Sequence, residues 1–118
     1  MSESASPIRW AQPSSDATAV TAGSSGDNTI YTPATGKAVG LQYICLSADG
    51  ANTADVTATV KFGAGGAAKY KLSLKPGAIW ARNIGARMRW LAGAVDEALI
   101  VNLSAAQNVH VSAEVEDV

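Results

Sequence analysis

The stretch "VTATVKF", Val56–Phe62, alternates without a slip. Val56, Ala58, Val60 and Phe62 are apolar, while Thr57, Thr59 and Lys61 are polar. A period of two puts all four apolar side chains on one side of an extended chain, whereas a helix would scatter them around its circumference. The stretch therefore reads as a strand with one face in a core and one in water. Working outward, "KYKLSLK" (69–75) repeats the pattern, with Tyr70, Leu72 and Leu74 in and Lys69, Lys71, Ser73 and Lys75 out. The "GAGGAA" between them is a hairpin loop. It lacks the Lys-Ser/Thr and the helix start that a phosphate loop needs.

The same reading extends along the chain. "TIYTP" is a short strand stopped by Pro33, which has no amide to donate. "AVGLQYICLSA" (38–48) is β-rich, with Val39, Leu41, Tyr43 and Cys45 on one face and Ile44 and Leu46 on the other. "AIWARN" (78–83) follows the Pro76-Gly77 turn, and "IGARMRWLAGA" (84–94) is irregular. "EALIVNLSA" and "NVHVSAEVEDV" close the chain, with Val109, Val111, Ala113 and Val115 alternating with polar residues. About seven or eight short strands at roughly 8–12-residue spacing predict an all-β fold. An antiparallel β-sandwich, jelly-roll-like or Ig-like, is expected, with a barrel second. Residues 29–118 form that domain. Residues 1–28, rich in Ser, Ala, Gly and Pro, read as an extended N-terminal arm with little to bury. Within the arm, Ile8, Arg9 and Trp10 form an apolar anchor between two prolines.

The composition bounds the function. The chain has 118 residues, 47% of them hydrophobic, and a net charge of −1, which suits one globular domain and not a general nucleic-acid binder. No apolar run is long enough for a membrane-spanning helix, and the N-terminus lacks the pattern of a secretory signal. The single cysteine, Cys45, excludes an internal disulfide and reads as a small core residue. One histidine, His110, cannot by itself make a zinc site or a triad. Asp96 and Glu97 are adjacent, so on a strand they would point apart, and they read as a turn. Asn102 begins an "NLS" sequon inside a predicted strand. Nothing here predicts an enzyme, a cofactor or a metal.

Charge is nevertheless sorted. Residues 56–95 hold seven Lys and Arg and no acid, while residues 96–118 hold five acids and no Lys or Arg. Arg82, Arg87 and Arg89 interleave with Trp80 and Trp90, a composition common at protein–protein hot spots. Single-strand nucleic-acid platforms share it, but the near-neutral charge and the acidic C-terminal region favour a protein partner. The acids are expected to face the basic region, within one subunit or across two.

These residues carry a resemblance. "EALIVNLSAAQNVHVSAEVEDV" resembles the C-terminal strands of small structural proteins of tailed bacteriophages, which often read E-A-L-x-x-N-L-S-A-A before a valine-rich strand ending in E-V. "TIYTPATGK" followed by a long apolar strand and "VTATVKFGAG" resembles the same group. The likeness spans residues 29–118 and departs at "KPGAIWARNIGARMRWLAGAVDEA", where that group has a shorter turn. The resemblance implies a β-sandwich virion component: a capsid decoration (cement) protein, often a homotrimer, that binds the major capsid protein on the outer surface of the head and is made in the host cytoplasm. A tail, neck or fibre component is the alternative. The expected partner interface comprises Ile8, Arg9, Trp10, Trp80, Arg82, Arg87, Arg89 and Trp90.

Overall fold

Inward-facing valines and leucines on alternate residues need a second apolar surface to cover them, and here two sheets cover each other. The computed structural model describes residues 16–84 and 91–118. Among them are nine strands and no helix: β1 (Asp16–Ala22), β2 (Gly26–Tyr31), β3 (Val39–Ala48), β4 (Val56–Phe62), β5 (Tyr70–Leu74), β6 (Ile79–Asn83), β7 (Leu91–Ala92), β8 (Leu99–Leu103) and β9 (Val109–Asp117). One sheet runs β1-β9-β3-β6, with β7 also on β3, and the other runs β2-β8-β4-β5. All pairings are antiparallel.

This strand order decides between the two expected sandwiches. β1 pairs β9, β2 pairs β8, β3 pairs β6 and β4 pairs β5, each outer partner enclosing the next. That nesting is a long antiparallel ribbon rolled into two sheets, which is a jelly roll and not the Ig arrangement. The ninth strand has a simple origin. Ile84 bonds to Gln42, and Leu91 lies opposite Leu41. β6 and β7 are therefore two pieces of one edge, and the chain leaves and rejoins β3 at adjacent positions.

Two expectations are corrected. Residues 16–22, placed within the arm, form β1 along the whole inner length of β9, from Asp16 opposite Val115 to Ala22 opposite Val109. β2 likewise begins at Gly26, before the expected boundary. The second correction concerns β3. Its register against β9 shifts between Leu41 and Tyr43, making Gln42 an extra residue. A bulge of this kind inverts the alternation beyond it. Val39 and Leu41 point into the core before the bulge, and Ile44, Leu46 and Ala48 after it. Tyr43 and Cys45 thus face outward and are half-buried, so Cys45 is no core residue.

The core is formed by β3, β4, β8 and β9, where Leu41, Ile44, Leu46, Val60, Leu99 and Val101 are fully buried. No polar or charged residue is buried among the described residues. The β5–β6 turn bonds Ala78 N–H to the Lys75 carbonyl, with Gly77 at φ 82°, a geometry that a Pro-Gly pair meets without strain. The bulge yields a sharp expectation. Leu46→Ala is expected to cost about 2–5 kcal/mol of unfolding free energy, and Cys45→Ala about 1 kcal/mol or less. Urea denaturation measures both; a larger cost at Cys45 would overturn the register.

Candidate functional site

β5 and β6 end their respective sheets on the same side of the sandwich, joined by the turn at 75–78. Alternation on β5 turns Tyr70, Leu72 and Leu74 inward and leaves Lys71 and Ser73 outward. On β6, Trp80 and Arg82 lie opposite the core residues Leu46 and Ile44, so they too point toward the facing sheet. Tyr70 and Trp80 meet across that gap, with ring centroids 5.2 Å apart and planes tilted by 53°. The Arg82 guanidinium carbon sits 5.9 Å from the Tyr70 ring, within cation–π reach. The aromatic pair and the arginine close the open side of the sandwich. Tyr70, Leu72, Trp80 and Ile84 all pack against the core from this side.

Basic residues predominate around this side, although Asp55, next to Val56, is level with Lys75. Lys69, Lys71 and Lys75 are exposed, and none of them pairs with an acid among the described residues. Lys61 is different: its ammonium lies 3.1 Å from Asp27 and donates to the Ala64 carbonyl at 2.6 Å. Asp27 also accepts from Asn102 Nδ2, so the sequon asparagine is engaged in a cross-strand bond. Those contacts hold the Asp27 carboxyl below the ordinary aspartate range, Asn102 first and Lys61 second.

Among the described residues, none of the five C-terminal acids forms an ion pair with a lysine or arginine of this region. Asp117 accepts from the Tyr31 hydroxyl at 2.7 Å and from the Ala34 amide at 3.2 Å. Asp96 accepts from the Gly36 amide at 2.7 Å, and Glu116 accepts from Gln42. Glu114 lies on the outer face of the other sheet, in line with Ala17 and Tyr43. The acids serve loop closure and the opposite sheet because β9 is a central strand of that sheet. Of the expected interface residues, Trp80 and Arg82 are brought together, with Tyr70 as a partner that the sequence did not single out. Ile8, Arg9, Trp10, Arg87, Arg89 and Trp90 lie outside the described residues.

A second cluster surrounds the lone histidine. His110 Nδ1 is 3.0 Å from the Thr21 hydroxyl and Nε2 is 3.1 Å from Asp49 Oδ2. Asp49 Oδ1 accepts the Ala51 amide at 2.8 Å. With the proton on Nε2, the ring donates to Asp49 and accepts from Thr21. A hydroxyl, an imidazole and a carboxylate in line have the order of a nucleophilic triad. Here all three side chains lie at the exposed surface, on β1, on β9 and at the start of the β3–β4 loop. The cluster ties β1 and the β3–β4 loop to β9. A shallow depression of about 210 Å³ lies farther along the same face, lined by Ala17, Ala19, Tyr43, Ser112 and Glu114 among others. No group of three or more metal-ligating side chains occurs among the described residues.

Compared with models of known protein families and with curated protein sequences, the chain matches none.

The Asp49 carboxyl is held below the ordinary aspartate range, first by the Ala51 amide and then by His110. Folding therefore favours the charged carboxylate. That stabilisation is complete above the unfolded-state value, about pH 4, and is lost as pH falls through the lower folded-state value. Asp49→Asn is expected to flatten the fall in stability on the acid side, read from urea midpoints in a pH series. An unchanged slope would remove Asp49 from the acid response.

Proposed function

We propose that this chain is a structural protein of a tailed-bacteriophage virion, a capsid decoration protein that docks on the major capsid protein and stabilises the head shell. The observation that carries the reading is the basic, aromatic edge formed by Lys69, Lys71, Lys75 and Arg82 beside Tyr70 and Trp80. Unpaired exposed cations contribute little to the fold of the domain itself. Gathered on one side, they steer association with an acidic surface and set its orientation. The resemblance of residues 29–118 to small phage structural proteins supplies the virion setting. A jelly roll alone supplies none, because the fold hosts many functions.

The aromatic pair bears on the alternative of a tail or fibre module that binds a glycan. Sugar stacking needs a flat, open ring face. Tyr70 and Trp80 are tilted against each other, both rings are half-buried, and Arg82 lies over the Tyr70 ring. That arrangement favours a protein surface. Ile8, Arg9 and Trp10 are proposed as a second anchor, preceding β1.

Shell binding tests the reading. Reversing Lys69, Lys71 and Lys75 to Glu is expected to weaken binding to undecorated heads at least about tenfold and to reverse its dependence on salt. Removing residues 1–15 is expected to weaken binding with unfolding unchanged. A cut at residue 28 would also delete β1 and half of β2 and would not discriminate. Electron microscopy of the virion is expected to place copies over the whole shell. Density confined to the neck or tail would overturn the capsid assignment, and equal binding by the reversed variant would overturn the basic edge.

A further inference from the structure

β6 is an edge strand, and its backbone shows which groups it leaves unpaired. Ile84 N–H bonds to the Gln42 carbonyl, and Ala48 N–H bonds to the Ala78 carbonyl, both at 2.8 Å. The β3–β6 register lies between those two points, with Arg82 opposite Ile44 and Trp80 opposite Leu46. Hydrogen-bonded pairs alternate along an antiparallel ladder. Trp80 and Arg82 therefore turn their amides and carbonyls toward β3. Ile79, Ala81 and Asn83 turn theirs away, to an edge with no strand beyond it among the described residues.

Proteins guard such edges with lysine, proline, bulges or brevity. β5, the neighbouring edge, carries Lys71 within it and Lys69 and Lys75 at its ends. β6 has no lysine, no proline and a continuous register. It carries Ile79, a large hydrophobic residue that is 71% exposed. Apart from the inward-pointing charge of Arg82 the edge is unguarded, and with its exposed isoleucine it has the character of an interface.

The order of its five residues points to the occupant. We infer that β6 pairs antiparallel with β6 of a second copy about a two-fold axis at Ala81. In that register, Ala81 faces its counterpart, and Ile79 faces Asn83 of the other copy. The outward amides and carbonyls at 79, 81 and 83 are then all used, in about six hydrogen bonds. Trp80 falls opposite Arg82 of the other copy in the close, non-hydrogen-bonded position, and Arg82 falls opposite the other Trp80. Each arginine thus meets an indole on one side while the Tyr70 ring remains on the other. Ala81, small and exposed, puts no bulky side chain opposite its own copy at the axis. An acidic strand from another protein would answer Arg82 but not Trp80. A second copy supplies the complement of both, and the closed two-fold contact limits growth to a pair.

The test uses the full chain in sedimentation velocity over a concentration series, with amide hydrogen exchange alongside. A reversible dimer is expected, with protection at the amides of Ile79, Ala81 and Asn83 rising with protein concentration. Ala81→Pro removes one outward amide per copy and touches no bond to β3. It is expected to raise the dimer dissociation constant at least about tenfold. Should that variant fold poorly, Ala81→Lys places two ammonium groups face to face on the axis at an exposed position and is expected to have the same effect, relieved by salt. Lys71→Glu, on the lysine-bearing strand, is expected to leave the dimer unchanged, which separates this contact from shell binding. A chain that stays monomeric at millimolar concentration would overturn the pairing. So would a trimer, or a dimer indifferent to both Ala81 variants.

Discussion

β3 carries one residue more than the strand beside it, and the arrangement of the whole sandwich follows from where that residue sits. β3 lies between β9 and β6, so its inner face is the floor of the core. Without a bulge, the face bearing Val39 and Leu41 would continue through Tyr43 and Cys45. It would send Ile44 and Leu46 to solvent, each a loss of roughly 1.5–3 kcal/mol of burial. The extra residue, Gln42, exchanges the two faces midway. Both large aliphatic pairs then lie inside. The same position marks the break on the other side of β3, because Ile84 ends one partner strand at Gln42 and Leu91 begins the next at Leu41. A bulged strand bends and twists more strongly than a regular one. A straight edge strand cannot follow it, and the edge is accordingly made in two pieces.

This explains which parts of the fold were legible in the sequence. β4, β5 and β9 alternate strictly, and their observed faces are those read from Val56, Leu72 and Val111. β3 is legible as a strand covered on both faces, but strict alternation puts Ile44 and Leu46 on the face opposite Val39 and Leu41, where the bulge puts all four on one. Nothing in "LQYI" distinguishes a bulge from a regular step, since the choice is made by the facing strand. β1 was missed for a different reason. "DATAVTA" is built of small residues whose alternation carries little apolar contrast. It becomes a strand because β9 offers a complementary edge, which is a tertiary cause acting over local propensity. Strand count failed for the same reason as the face of β3: the sequence shows a long irregular stretch after residue 84 where the structure shows one edge interrupted.

The candidate site divides in the same way. Trp80 and Arg82 stand out by residue type and by spacing, two apart on a strand. Tyr70 does not, because it reaches them only when β5 and β6 are brought to the same side by the rolling of the sheets. The His110 cluster was likewise hidden. Its partners, Thr21 and Asp49, are 89 and 61 residues away along the chain. Charge sorting was visible, but its geometric meaning was not. Acids near the C-terminus follow β9 into the centre of one sheet and the loops beside it, while the lysines follow β5 to the rim of the other.

The two rims of that side therefore differ in kind, although a single turn joins them. Along β5, lysines keep other strands away by charge and hydration, and in the proposed role the same charge draws an acidic surface from a distance. Along β6 the outward backbone groups have no partner strand among the described residues, and the inferred pairing acts only over hydrogen-bonding distance and only on a chain that is already aligned. Long-range steering and short-range pairing make different demands on a surface: the first tolerates disorder of the side chains, and the second does not. Placing them on separate strands lets each be met without compromising the other. Among the described residues Arg82 belongs to both, since its charge adds to the lysine field while its guanidinium lies over the Tyr70 ring.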